Sequence, residues 1–286
     1  MTAMFEKNYY SLVSGLREYA LDSDAKGFDA AQIVGEILEE LSRRDAEAVR
    51  LLYGYYDCEN VAAARSGRTA YNALGNLTQE QVAEALKTGA GLPDAVARVI
   101  RAFADPEGED AEQVDLARGF ENALFAAYYD VCEHSSCRFL REWSEFDRTL
   151  RNITAALAAR AAQRPVDSVT VGGGDVVEQL QRSSAADFGL RGELPYIDAV
   201  ITAVNDESNM LEKERKIDMV RWEMAGELAA FDYFNIGAVL SYLAKINIVA
   251  RWSVLDPKRG REIFERLMAE LDVESAITST FRPIER

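Results

Sequence analysis

Residues 56–68 read YDCENVAAARSGR, and the helical spacing of this stretch decides how the chain is read. Val49, Leu52, Tyr53, Tyr56, Asn60, Ala63 and Ala64 recur at i, i+3, i+4, i+7, i+11, i+14 and i+15, which is one face of an α-helix. Asn60 therefore sits inside the apolar stripe, and Gly67 closes the helix or lies just beyond it. The phrase returns as RNITAALAAR at 151–160 and as INIVARW at 246–252. Aligned on Asn60, Asn152 and Asn247, the phrases stand 92 and 95 residues apart, the near-equal spacing an internal threefold duplication leaves. Chance also produces such phrases in an alanine-rich chain: Asn235-Ile-Gly-Ala-Val nearly matches and breaks the spacing. Small residues beside each Asn let a second helix approach closely. A buried amide left unpaired costs about 1–3 kcal/mol, so each Asn should have a fixed partner, a backbone carbonyl or a helix end of that second helix. Arg65, Arg160 and Arg251 follow the phrases and are placed to extend the same polar lock.

Outward from these phrases the helical period dominates. TQEQVAEALKTG at 78–89 carries a capping box in Thr78 and Gln81, with Gly89 as its stop. LPDAVARVIRAFADPEG predicts a short helix ending at the Pro-Glu-Gly turn near 106–108. Residues 110–163 contain no proline and predict one very long helix, or two in line with a break near His134–Ser136. Its apolar face is Phe139, Trp143, Phe146, Leu150, Ile153 and Leu157. Shorter helices follow near 174–183 and 194–204, then a charged helix over 206–230, read either as an interface or as a solvated face. An apolar helix over 231–252, a last helix over 257–271 and an irregular tail complete the pattern. No strand period of any length appears. The expected fold is all-α, with long helices packed antiparallel in one multi-lobed unit, 1–286, and repeats at 1–105, 106–190 and 191–286.

The chain has 286 residues, enough to bury about 75% of its unfolded surface. It carries 32 basic and 48 acidic side chains, a net charge of −16. Such a surface repels nucleic acid and anionic headgroups, so neither is an expected partner. The same charge also serves solubility alone. Three cysteines form an odd, sparse set that fits a reducing cytosol. No secretory signal pattern opens the sequence, and no apolar run approaches the ~20 residues that cross a bilayer. A cytoplasmic protein without membrane insertion is expected.

Reactive motifs are thin. Cys132, His134 and Cys137 suggest zinc, but on a helix they point about 200° and 300° apart and converge only if the chain breaks there. Asp187-Phe188-Gly189 copies a kinase magnesium triplet without a kinase's other parts. It reads as a turn with Phe188 in the core and Gly189 reversing the chain. Gly172-Gly173-Gly174 lacks the Gly-Lys-[Ser/Thr] ending of a phosphate loop and reads as a flexible connection. Glu39–Glu40 and Glu212–Glu214 lie in solvated charge runs. Trp143, Trp222 and Trp252 read as core anchors. No catalytic, cofactor-binding or metal-binding residue is assigned.

The Tyr-Asp-x-x-Asn-[Val/Ile] phrase at 56–61 resembles the C subunit of archaeal-type rotary ATPases, called d in the vacuolar enzyme. Longer stretches resemble an uncharacterised bacterial family encoded beside V-type ATPase genes. They are NYYSLVSGL at 8–16, FLREWSEFDRTLRNITAALAAR at 139–160, SSAADFGL at 183–190, IDMVRWEM at 217–224 and FNIGAVLSYLAKINIVARWSVLDPKRGREIF at 234–264. The middle Asn phrase lacks the Tyr-Asp lead-in. The resemblance implies a threefold pseudosymmetric helical funnel that catalyses nothing and needs no cofactor. It would hold the lower end of the rotor shaft and rest on the membrane ring, peripheral to the inner membrane through the complex. An acidic funnel lining would suit a basic shaft tip. Two other functions stand beside this one: a helical scaffold or regulator outside the rotor, and a helical enzyme built on the Cys/His cluster.

Overall fold

The computed structural model describes residues 7–21, 27–206 and 209–255. Among them every regular element is helical, and there is no strand. The helix over 257–271 and the irregular tail lie outside the described residues. The α-helices are α1 (Tyr10–Gly15), α2 (Ala30–Glu40), α3 (Arg43–Arg65), α4 (Gln79–Thr88), α5 (Asp94–Ala104), α6 (Phe120–Glu133), α7 (Arg138–Ala161), α8 (Asp175–Arg182), α9 (Ile197–Val204), α10 (Met210–Leu228) and α11 (Ile236–Leu255).

The stretch expected as one long helix is neither continuous nor in line. It begins as two 3-10 turns, Glu109–Gln113 and Leu116–Arg118, and becomes α6 only at Phe120, after Gly119 with φ 81°. The chain then breaks at 134–137, where the sequence placed the break, and α7 folds back on α6. Tyr129 and Asp147, eighteen positions apart, meet across this hairpin. Apolar residues on both helices explain the turn: Leu124, Leu140, Leu150 and Ile153 are fully buried, and a straight rod would leave them in water.

Two helices end in the same way. After α3, Gly67 adopts a left-handed φ of 70°, its N–H donates to Ala64 and the N–H of Arg68 donates to Ala63, which is a Schellman stop. After α7, Gln163 takes the left-handed position at φ 53°, with Gln163 donating to Arg160 and Arg164 to Ala159. Glycine takes that conformation freely and glutamine does not. The Thr78–Gln81 capping box is formed in full, and Gly89 stops α4 at φ 78°.

The order of elements recurs. A long helix, two short ones and a returning helix make α3–α4–α5–α6, and the same order makes α7–α8–α9–α10. The long helices α3, α7 and α11 begin 95 and 98 residues apart. Packing recurs with the order. α3 packs on α4 and α6 as α7 packs on α8 and α10; α5 packs on α6 as α9 packs on α10; α6 hands over to α7 as α10 hands over to α11. One apolar core runs through both units, and a smaller cluster joins Phe28 and Ala30 to Ile246 and Val249 on α11. No helix among the described residues is long and apolar enough to cross a membrane.

Candidate functional site

Asn60 and Asn152 do the same thing. The Asn60 amide donates to the carbonyl of Asn72 at 2.9 Å and accepts the N–H of that residue at 2.7 Å. Asn152 donates to the carbonyl of Val171 at 3.0 Å and accepts its N–H at 2.8 Å. Each side chain imitates a paired strand and hangs the loop that follows its own helix. The expected partner was a neighbouring helix; the loop wins because its peptide offers a donor and an acceptor to the two ends of one amide. Asp57, one turn before Asn60, grips the same loop. It accepts from Leu77 N–H at 2.9 Å and from Asn76 at 2.6 Å. Burial raises the Asp57 carboxyl above its usual range, against these hydrogen bonds. This explains an acid and an amide ahead of the alanines. Gly75 passes so close that a Cβ there would lie 2.7 Å from Asp57 Oδ1 and 3.0 Å from Asn60 Nδ2.

The third phrase differs. Asn247 Oδ1 is buried without a hydrogen-bond partner, and the Asn247 side chain lies beside the buried Tyr53 hydroxyl. Asn235, the look-alike that broke the spacing, is the N-cap of α11: its Oδ1 accepts from Gly237 and Ala238.

The three arginines do not share one role. Arg65 lies over the rings of Phe103 and Phe120, 5.6 and 4.3 Å from their centroids. Arg160 donates to the carbonyls of Ser183 and Ala185 and covers the ring of Phe188 at 3.6 Å. Arg251 joins an ionic seam that is exposed at Glu214 and buried at Asp218 and Asp147. Arg251 meets Glu214 and Asp218; Asp218 also accepts from Trp252 Nε1 at 2.9 Å and from Arg221 at 2.8 Å. Arg221 then reaches Asp147 at 3.0 Å, which accepts from Arg151 at 2.7 Å and from Tyr129 at 2.8 Å. Arg151 covers the ring of Tyr55 at 4.2 Å. The seam thus ties α3, α6, α7, α10 and α11 together. Burial acts to raise the Asp147 carboxyl, but Arg151 and Arg221 outweigh it and hold it well below the usual range. Asp147 and Asp218 were missed from sequence, although each interrupts an apolar stripe, and Arg151 follows Asp147 at i+4.

The three long helices open on one cleft of about 890 Å³. Its walls include Asp45 and Ala48 at the start of α3, Arg138 and Phe139 at the start of α7, and Ile236 and Gly237 at the start of α11. Polar contacts join these starts in a ring. Arg44 of α3 donates to Ser136, ahead of α7, at 3.1 Å. Arg138 of α7 donates to the Leu228 carbonyl at 3.2 Å and to Asp232, ahead of α11, at 2.6 Å. Between α11 and α3 stands Tyr9. Its N–H donates to the Phe234 carbonyl at 2.6 Å, its hydroxyl donates to Asp45, and that hydroxyl accepts the N–H of Ser42 at 3.1 Å. The lining carries Lys7, Arg44, Arg50 and Arg138 against Asp45, Glu47, Asp57 and Asp232. It is balanced, not acidic: on a chain of net charge −16, the acids lie elsewhere. Phe231 and Tyr233, on either side of the lining residue Asp232 in sequence, stand exposed, Phe231 at 87%, and so does Tyr10.

The declined motifs resolve as packing. Cys132 is fully buried, and His134 turns its Nδ1 to the Asp130 carbonyl at 2.8 Å. No three His, Cys, Asp or Glu side chains among the described residues are grouped to hold a metal. Phe188 is fully buried at φ 55°, and Gly189 follows at φ 77°. The three glycines are not a loose connection: Arg118 holds the Gly172 carbonyl at 2.7 Å and Arg148 that of Gly173 at 3.0 Å. Trp143 is buried; Trp222 and Trp252 are half-buried.

No curated protein matches the chain. A family model described as a protein of unknown function, DUF2764, matches residues 6–275, nearly the whole length. The chain belongs to the DUF2764 family.

Proposed function

We propose that the protein is a non-catalytic coupling subunit of the central stalk of a V/A-type rotary ATPase, with the cleft as the seat of the rotor shaft and the far side toward the membrane ring. The observation that carries this reading is the cleft itself: three long helices of recurrent units begin around it, tied start to start. A coupling piece must transmit torque without deforming, and the Asn-pinned loops and the ionic seam supply that stiffness. The expected threefold duplication, with its repeats, belongs to this reading, as does residence at the membrane through the complex. The helix order supports repeats running from each long helix to the next.

The size of the cleft sets how the seat works. A helix is about 10–12 Å across, so a volume of this order admits roughly one to two turns of one helix. The tip of a shaft is seated, not engulfed. The balanced lining and the exposed rings make the contact apolar, with Phe231 and Tyr233 as anchors.

Purified protein mixed with the shaft subunits should co-elute on gel filtration in low and high salt alike, because the lining's opposite charges balance and leave little net attraction to screen. Phe231→Ala and Tyr233→Ala should each weaken the complex. Absence of co-elution at low salt overturns the reading. The shallowness of the cleft favours one other function, a scaffold or regulator outside the rotor. Cross-linking from the mouth in an assembled ATPase separates them: bonds to the shaft support the first, and bonds only to stator subunits support the second.

A further inference from the structure

Two of the three closures of the rim are arginines from the long helices themselves, Arg44 and Arg138. The third is different in kind. The first turn of α11 reads Ile236-Gly237-Ala238 and offers no cation to reach α3. Tyr9, from a segment more than two hundred positions away in sequence, takes the place of the missing clamp. It touches the chain ahead of α11 by its backbone and the start of α3 by its hydroxyl.

The segment around Tyr9 is lightly held. α1 has six residues, no side-chain cap, no charged residue in its first or last turn and no buried residue. A helix of that length is not stable by itself. It is held by side chains along one face and not by burial of the helix: Tyr9, which is buried; the ring of Tyr10 on Phe234 at 4.7 Å; Leu12, Val13 and Leu16, partly buried against the core; the ring of Tyr19 on Phe28 at 5.1 Å; and the Arg17 carbonyl, which accepts from Tyr242 of α11 at 3.0 Å. α2 packs on α11 through contacts of its own, as α6 packs on α3 and α10 on α7, and Tyr19 of the strap adds to that cluster. Releasing the segment would therefore leave each unit's own helices in place.

We infer that residues 7–21 are a strap: they supply the third closure of the rim, and they open locally, on the α11–α3 side, without unfolding of either four-helix unit. Lys7 lines the cleft and stacks on the Tyr9 ring at 4.9 Å, so whatever enters the cleft on this side touches the strap. Regulation of entry by the strap rests on the reading of the cleft as a partner's seat; the local opening does not.

Hydrogen exchange on the full chain tests it. In the unaltered protein, amides of residues 9–16 should exchange faster than those of α3 and α7. Tyr9→Phe should speed the strap amides and Ser42 by about tenfold, the effect of losing the hydroxyl's two part-buried hydrogen bonds, while α4, α5 and α8 keep their rates. Strap amides that exchange only together with α3 and α7 in the unaltered protein would overturn the inference, whatever the variant does. So would an unchanged strap rate in a folded Tyr9→Phe protein. A strap that opens in a protein ignoring the shaft subunits would leave this inference standing and remove the docking reading alone.

Discussion

Asn60 and Asn152 each spend a whole side-chain amide on one peptide unit of a loop. Replacing either by alanine leaves a peptide N–H and carbonyl without partners in a part-buried place. Asn60→Ala and Asn152→Ala should each cost about 1–3 kcal/mol in urea unfolding. Asn247 is the control. Its Oδ1 already lacks a partner, so Asn247→Ala should cost less than either. Gly75→Ala carries a different penalty: the new methyl meets Asp57 and Asn60, and about 1–3 kcal/mol of overpacking should appear. At this scale the amides were legible because a polar residue inside an apolar stripe demands a partner. The partners were not, because they are backbone groups of loops whose sequences carry no mark of being held.

Among the elements, α7 carries the most varied contacts, and the seam through Asp147 is where its loss would be felt. Asp147→Asn leaves the nearly buried Arg221 and the partly exposed Arg151 facing a neutral amide; solvent at Arg151 screens part of the loss, so the cost should fall near the lower end of the roughly 3–5 kcal/mol for removing one partner of a buried pair. The carboxyl is held below its usual range, so its contribution is complete above the unfolded pKa of about 4 and is lost as pH falls below it. Urea midpoints of the two proteins should differ widely at neutral pH and converge under acid. The break before α7 was legible because His134–Ser136 interrupts the apolar run; the fold-back was not, because periodicity gives a helix its faces and says nothing of its direction. The glycine run misled for a related reason. Its composition signals freedom, and the arginines that hold it come from α7 and from a turn more than fifty positions earlier.

For the whole molecule, a net charge of −16 is mostly self-repulsion, so moderate salt should raise the melting temperature, with calorimetry as the check. The all-helical class was written in the period of the apolar residues and in the absence of strand alternation. Helix order and packing recur from α3–α6 to α7–α10, and Asn60 and Asn152 mark the corresponding helix in each. The cleft is balanced in charge although the chain is acidic, because total charge does not say where charge lies. The shared opening of α3, α7 and α11 also has an electrical side. Each helix start bears roughly half a positive charge from its aligned peptide dipoles. Three such starts at one pole, on a body otherwise rich in anions, give the protein a permanent axis of polarity. An anionic group entering the cleft would meet that bias within about a turn of each helix, whatever the side chains around it carry.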